Sequence, residues 1–186
     1  MNIYFDTEFT GLHKNTSLIS IGMIDEVGNS FYAELNDYDI GQVDSWIEKN
    51  VIKNLEFTSI DTIKYISEKS VRFKGNREQV REELTEWLKS YDKVQFVSDV
   101  CHYDFVLLID LFGNVFKLPK NVCAACHDIN QDIAEYLKIS ERDAFNYTRE
   151  NFISQMIDKD GLSGGMKHNS LYDAVVIKHI YNVIKG

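Results

Sequence analysis

Hydrophobic positions near the start of the chain come in short runs separated by turn residues. Residues 2–7 carry Ile3, Tyr4 and Phe5 into Asp6 and predict a strand. Residues 17–25, with Leu18, Ile19, Ile21, Met23 and Ile24, predict a second, and Val27-Gly28-Asn29 marks a turn. Phe31, Ala33 and Leu35 then alternate with Tyr32 and Glu34, the rhythm of a third strand. Three strands so closely joined predict an antiparallel meander headed by the strand that runs into Asp6.

Residues 37–75 carry a weaker pattern. Residues 42–51, with Val43, Trp46, Ile47 and Val51 on one side, predict a helix, and residues 60–66 a short one. The clearest helix spans residues 76–91: Asn76 is a good N-cap, and Val80, Leu84, Trp87, Leu88 and Tyr91 form one apolar face. A buried strand at 93–97 and a helix at 102–112 follow, with Asp99 as its predicted N-cap and Gly113-Asn114 as its stop. Residues 121–125 predict a strand, residues 128–137 and 141–156 helices, residues 160–165 a Gly-rich loop, and residues 170–184 a last helix. Meander first, then helices alternating with strands, gives a single α/β domain over residues 1–186.

Composition narrows the class. A chain of 186 residues with 44% hydrophobic and 26% charged content is long enough for one well-developed core. No apolar run is long enough to span a bilayer, and no basic segment followed by an apolar run opens the chain, so a soluble, cytoplasmic protein is expected. Three cysteines, Cys101, Cys123 and Cys126, suit a reducing compartment and not a disulfide framework. The net charge of −9 argues against a protein that coats nucleic acid through Lys and Arg, though not against an enzyme that grips one strand end through metal ions. The segment from Lys64 to Arg81 is locally basic and reads either as a solvated helix face and loop, the better fit, or as a phosphate-facing patch.

Candidate chemistry starts at Asp6 and Glu8. Two apart on a strand, they project from one face, side by side. Adjacent carboxylates repel, and hard divalent cations bind carboxylate oxygens. Each acidic position has a plain alternative. Asp6-x-Glu8 alone is a solvated strand end, Asp104 alone favours a helix N-terminus, and Asp173 completes a capping box with Ser170. His168 converges on Asp173 only if it precedes the last helix, because five residues turn a helix through about 140° from eclipse. Cys123-Ala-Ala-Cys126-His127 matches the c-type haem attachment string, which the expected compartment excludes. The same residues with Cys101 could ligate zinc but lack a second spaced pair, so strand or core cysteines are the reading here.

The order of these motifs resembles the DEDDh 3'-5' exonuclease superfamily, which has a ribonuclease-H-like fold. Asp6-Thr-Glu8 with Thr10-Gly11-Leu12 is similar to its first motif, His102-Tyr-Asp104-Phe-Val-Leu-Leu to its second, and His168-Asn-Ser-Leu-Tyr-Asp173-Ala to its third. Ser98-Asp99-Val100-Cys101 stands where many relatives carry an Asn, which leaves Asp99 and Asp104 as candidates there, with Asp104 preferred. The small size, the second motif and Leu118-Pro119 resemble RNase AS-type exoribonucleases most closely.

The resemblance implies a mixed sheet, its first three strands antiparallel and the rest parallel, flanked by helices. It implies two Mg²⁺ or Mn²⁺ ions about 3.5–4 Å apart. Asp6 would bridge them, Glu8 and Asp173 would serve the ion of the attacking water, and Asp104 the other. His168 would take the water's proton. Thr7, Phe9, Thr10, Leu12 and His168 would meet the 3' end of a single strand, RNA before DNA, to release nucleoside 5'-monophosphates. A DNA exonuclease and an inactive nucleic-acid-binding module are the alternatives. A homodimer is possible, with Trp46 and Tyr65 available for it.

Overall fold

The computed structural model describes residues 1–149, 152 and 167–186. Among the described residues one mixed sheet contains β1 (Asn2–Phe9), β2 (Leu18–Asp25), β3 (Ser30–Leu35), β4 (Ile63–Ile66), β5 (Ser70–Gly75), β6 (Val94–Ser98) and β7 (Val122–Asp128), in the order β4-β5-β3-β2-β1-β6-β7. The helices are α1 (Ser45–Asn50), α2 (Arg77–Leu88), α3 (Cys101–Leu111), α4 (Ile129–Leu137), α5 (Glu141–Asn146) and α6 (Ser170–Lys185). The first three strands are antiparallel, β6 is parallel to β1, and β7 is parallel to β6, as expected. Part of the helix predicted at 141–156 and the loop predicted at 160–165 lie outside the described residues.

Strand alternation divides the core in two. Ile3, Phe5, Ile21, Met23 and Phe31 face one side, where Val80, Leu84 and Leu88 of α2 and Phe105 and Leu108 of α3 cover them. Tyr4 faces the other, with Ile129 and Ile133 of α4 and Val176, Ile177 and Ile180 of α6. Helix α2 starts at a full capping box: Gln79 N–H donates to Asn76 Oδ1 at 3.0 Å, and Asn76 N–H to Gln79 Oε1 at 3.0 Å. Where β1 and β2 run out, their register shifts between Glu8 and Phe9, so that Glu8 faces Ser20 and Phe9 faces Leu18. Ile19 is left over and packs with Ile47 and Val51 beneath α1.

The region between residues 60 and 75 differs from expectation. It is a hairpin, not a helix: β4 runs antiparallel to β5, closed by Ser67 N–H to Ser70 O at 2.8 Å, and β5 adds in parallel to β3. Lys74 hides the strand rhythm because it is buried, its Nζ 3.1 Å from Glu34 Oε2 and 2.9 Å from Phe57 O. A buried charge is tolerated only with such partners. Four other basic residues of the segment are also paired: Lys64 with Glu83, Arg72 with Glu56, Arg77 with Asp110 and Arg81 with Glu78. These pairs favour the structural reading of the segment over a phosphate-facing patch.

One glycine fixes how α6 meets the sheet. Gly22 stands opposite Asp6 in the β1–β2 ladder. A Cβ there would lie 2.1 Å from Leu171 N and 2.3 Å from Leu171 Cα, so the backbone of α6's first turn rests directly on β2. Beside it the hydroxyls of Ser20 and Ser170, both fully buried, meet at 3.0 Å. Gly22→Ala is expected to lower the free energy of unfolding by about 1–3 kcal/mol, since the obstacle is backbone and cannot change rotamer. An unchanged urea midpoint would show that α6 does not seat there.

Candidate active site

The end of β1 carries acidic side chains toward α6 and hydroxyl support toward α3. Asp6 and Glu8 lie on the α6 face by alternation with Thr7. Thr7 Oγ1 donates to Asp104 Oδ1 at 2.6 Å, and Ser98 Oγ, at the end of β6, donates to Asp104 Oδ2. Asp104, in the first turn of α3, is buried. Asp173 lies in the first turn of α6, and His168 precedes that helix.

The N-terminus of α6 is not built as the sequence suggested. Asn169, not Ser170, is the N-cap, and its side chain accepts Tyr172 N–H at 3.1 Å. Ser170 is spent on Ser20. Asp173 is thereby released from capping, and its Oδ2 accepts His168 N–H at 2.9 Å. The His168 ring brings Nδ1 to 4.0 Å from Glu8 Oε1 and meets the Trp46 ring in a T-shaped contact at 5.1 Å.

Two ligand groups result. Potential ligand atoms of Glu8, His168 and Asp173 lie within 4.8 Å of one another, and so do those of Asp6, Asp99 and Asp104. Asp99 is a correction: Val100 is the N-cap of α3 and makes no side-chain cap. Asp99 instead accepts Arg149 Nε at 2.8 Å, while Arg149 Nη2 donates to Asn130 Oδ1 at 2.6 Å. Both preferred Asp104 and its alternative Asp99 therefore reach the site.

The electrostatics suit cations. Burial pushes Asp6 well above the ordinary carboxylate range, and Asp104, Asp173, Glu8 and Asp99 push the same way. Burial, then Asp173 and Asp104, raises Glu8 from 4.5 to about 8. Burial raises Asp104 from 3.8 to about 7, against the lowering effect of the Ser98 and Thr7 hydroxyls. Divalent cations would replace the protons these carboxylates otherwise retain.

The groups open on a cleft of about 820 Å³, large enough for a nucleotide, whose lining includes Leu12, Trp46, Phe145, Arg149 and Lys167. Leu12 is 73% exposed at its edge. Phe9 stacks on Tyr103 with centroids 5.3 Å apart. Two residues expected at the substrate are used internally. The Thr7 hydroxyl holds Asp104, and the Thr10 hydroxyl donates to Gln42 Oε1 at 2.5 Å and accepts Ser17 N–H at 2.8 Å. Arg149 and Asn54, which buttress the site from outside the motifs, had no local signal in the sequence. The cysteines stand apart from these groups: Cys101 and Cys126 bring their Sγ atoms to 3.0 Å, and Cys123 is exposed on β7. Among the described residues no ligand group of three includes a cysteine.

Known proteins resemble this chain in sequence and in fold. The family described as the 3'-5' exoribonuclease Rv2179c-like domain matches residues 1–185. Two Mycobacterium tuberculosis proteins, 3'-5' exoribonuclease Rv2179c of strain H37Rv and 3'-5' exoribonuclease MT2234.1 of strain CDC 1551, are each 28% identical over 133 residues, covering 70% of this chain and 73% of their own. The nuclease domain of 3'hExo, a DEDDh family member crystallised with rAMP, superposes with a TM-score of 0.64 at 14% identity over 99% of this chain and 90% of that one. That likeness shows a shared fold, a ribonuclease-H-like mixed sheet flanked by helices.

Raised carboxylate pKa values make the metal-free protein's stability pH-dependent. The folded chain keeps protons on Glu8 and Asp104 up to about 8 and about 7, whereas the unfolded chain releases them near 4.5 and 3.8. Their contribution is full below the unfolded values and is lost as pH rises through the folded ones. In EDTA the melting temperature is expected to fall between about pH 5 and 8, less steeply in Glu8→Gln. A wild-type melting temperature that rises across this range, with the variant tracking it, would contradict the buried repulsion.

Proposed function

The chain belongs to the 3'-5' exoribonuclease Rv2179c-like domain family, and from that premise we propose that it removes nucleotides one at a time from the 3' end of single-stranded RNA, releasing nucleoside 5'-monophosphates. The observation that carries this reading is the pair of ligand groups, Glu8/His168/Asp173 and Asp6/Asp99/Asp104, facing one nucleotide-sized cleft. The rAMP bound to the nuclease domain of 3'hExo belongs to the product class proposed here and supports the reading.

Asp6, Glu8, Asp104 and Asp173 would hold two Mg²⁺ or Mn²⁺ ions, with Asp99 beside Asp6 and Asp104. When bound, such ions offset the charge of the scissile phosphate and acidify the attacking water. His168 accepts that water's proton on its imidazole, a group suited to proton transfer near neutral pH. The Thr7 and Ser98 hydroxyls hold both oxygens of Asp104 so that it does not turn away from Asp6. Leu12 wedges against the terminal base at the edge of the cleft, and Phe9, braced by Tyr103, supports the strand end beneath it. With the Thr10 hydroxyl already engaged, backbone groups of residues 7–10 meet the terminal sugar. A contact to the 2'-OH there is what would separate RNA from DNA.

The homodimer expected from sequence is a further proposal. Tyr65 and Ile66, 62% and 67% exposed on edge strand β4, support it, while Trp46 lines the cleft instead. A solution mass of twice 21.6 kDa is the expected result by light scattering.

The main test is a gel assay with matched 5'-labelled single-stranded RNA and DNA, in Mg²⁺, Mn²⁺ or EDTA. A metal-dependent ladder shortening RNA from its 3' end is expected, with Asp173→Ala inactive and His168→Gln slower by about 10²–10⁴-fold. A ladder on DNA alone would move the substrate to DNA. Metal-independent cleavage, or full activity in Asp173→Ala, would overturn the assignment.

A further inference from the structure

We infer that Asn54 is a positioning residue for His168, holding the general base from outside the catalytic motifs. The inference rests on the reading of His168 as that base. His168 has φ +63°, in the left-handed region, which is unfavourable for a residue with a side chain. Such a conformation persists where its surroundings over-determine it. Here the residues on both sides of His168 are tied to Asn54. Asn54 Nδ2 donates to Lys167 O at 2.8 Å, and Asn54 O accepts Asn169 Nδ2 at 3.1 Å. The same Nδ2 donates to Asn50 O at 2.7 Å, so both amide hydrogens are used, one on the histidine loop and one on the last turn of α1.

Asn54 is well placed to transmit rigidity. It closes the short 3₁₀ turn Ile52–Asn54 that continues α1, and α1 seats Ile47 and Val51 against Ile19 in a small core of its own. The same helix presents Trp46 to the His168 ring at an interplanar angle of 76°. The histidine loop is thus anchored through its backbone by Asn54 and flanked at its ring by Trp46. Asn54 is not among the residues lining the cleft, so it has no direct route to substrate or ions there. Its action is on the Lys167 carbonyl just before His168 and on the Asn169 side chain just after it, and these two ties bracket the residue that carries the imidazole. Misplacing a reacting group by about 1 Å can cost around a hundredfold in rate.

A double-mutant cycle tests this. Steady-state kcat and KM are measured on single-stranded RNA for wild type, Asn54→Ala, His168→Gln and the double variant, with melting temperatures alongside. Asn54→Ala is expected to lower kcat about 10- to 100-fold with KM within about twofold, the signature of a lost transition-state contribution. In the His168→Gln background the same change should cost less than about twofold, because the group being positioned is gone. Asn54→Asp, close in size but unable to donate to Lys167 O, is read the same way if Asn54→Ala does not fold. A lowered melting temperature with unchanged kcat, an effect confined to KM, or an equal loss in both backgrounds would overturn the inference while leaving the functional reading intact. An unchanged kcat in His168→Gln would overturn that reading, and this inference with it.

Discussion

Asp6, Glu8, Asp104 and Asp173 repel one another in a site where burial already disfavours charge. Left to itself, such a cluster would separate or keep its protons. The surrounding fold prevents separation by building the four carboxylates on three rigid elements. Asp6 and Glu8 are fixed by central strand β1, Asp104 by α3 and Asp173 by α6. What remains is a demand for positive charge, and that demand is what suits the cleft to divalent cations.

Position of β1 within the sheet makes this possible. With β2 on one side and β6 on the other, its end is open to helices from both faces. α3 approaches from the face of Ile3 and Phe5, and α6 from the face of Tyr4. Close approach on the second face depends on Gly22, where the missing side chain lets helix backbone touch strand backbone. On the first face the Thr7 and Ser98 hydroxyls bridge strand ends to Asp104. A third level of support, from α1 and the turn after it, reaches the histidine loop through Asn54 and Trp46. The geometry of the candidate site is a property of α3 and α6 packed on the two faces of β1, with α1, seated on Ile19 of β2, behind the histidine loop.

Polar residues within the chain were the hardest to read, and for one recurring reason. Lys74 in β5 looks like a solvent position but is buried against Glu34, so the strand rhythm of residues 70–75 disappears from the sequence. Ser170 looks like an N-cap but is buried against Ser20, and Asn169 caps instead. Asp99 looks like a cap but faces Arg149, fifty residues on. In each case a local rule assigned the side chain to its nearest backbone, while a distant partner took it. Cys123-Ala-Ala-Cys126-His127 is the converse: a suggestive local string whose His127 engages Asp132 and whose Cys126 faces Cys101.

Taken alone, the sequence determined the apolar rhythms of the meander and the long helices, because alternation and helical spacing are properties of consecutive residues. It also determined the chemical inventory, Asp6, Glu8, Asp104, His168 and Asp173, and their order along the chain. Only the tertiary structure decided that these residues meet, that Asp99 joins them, that Thr7 and Thr10 are occupied with internal hydrogen bonds, and that Asn54 stands behind His168. Those outcomes depend on contacts between residues 32 to 150 positions apart. No local spacing encodes such contacts; they exist only after the sheet has set which ends come together and how close a helix can lie.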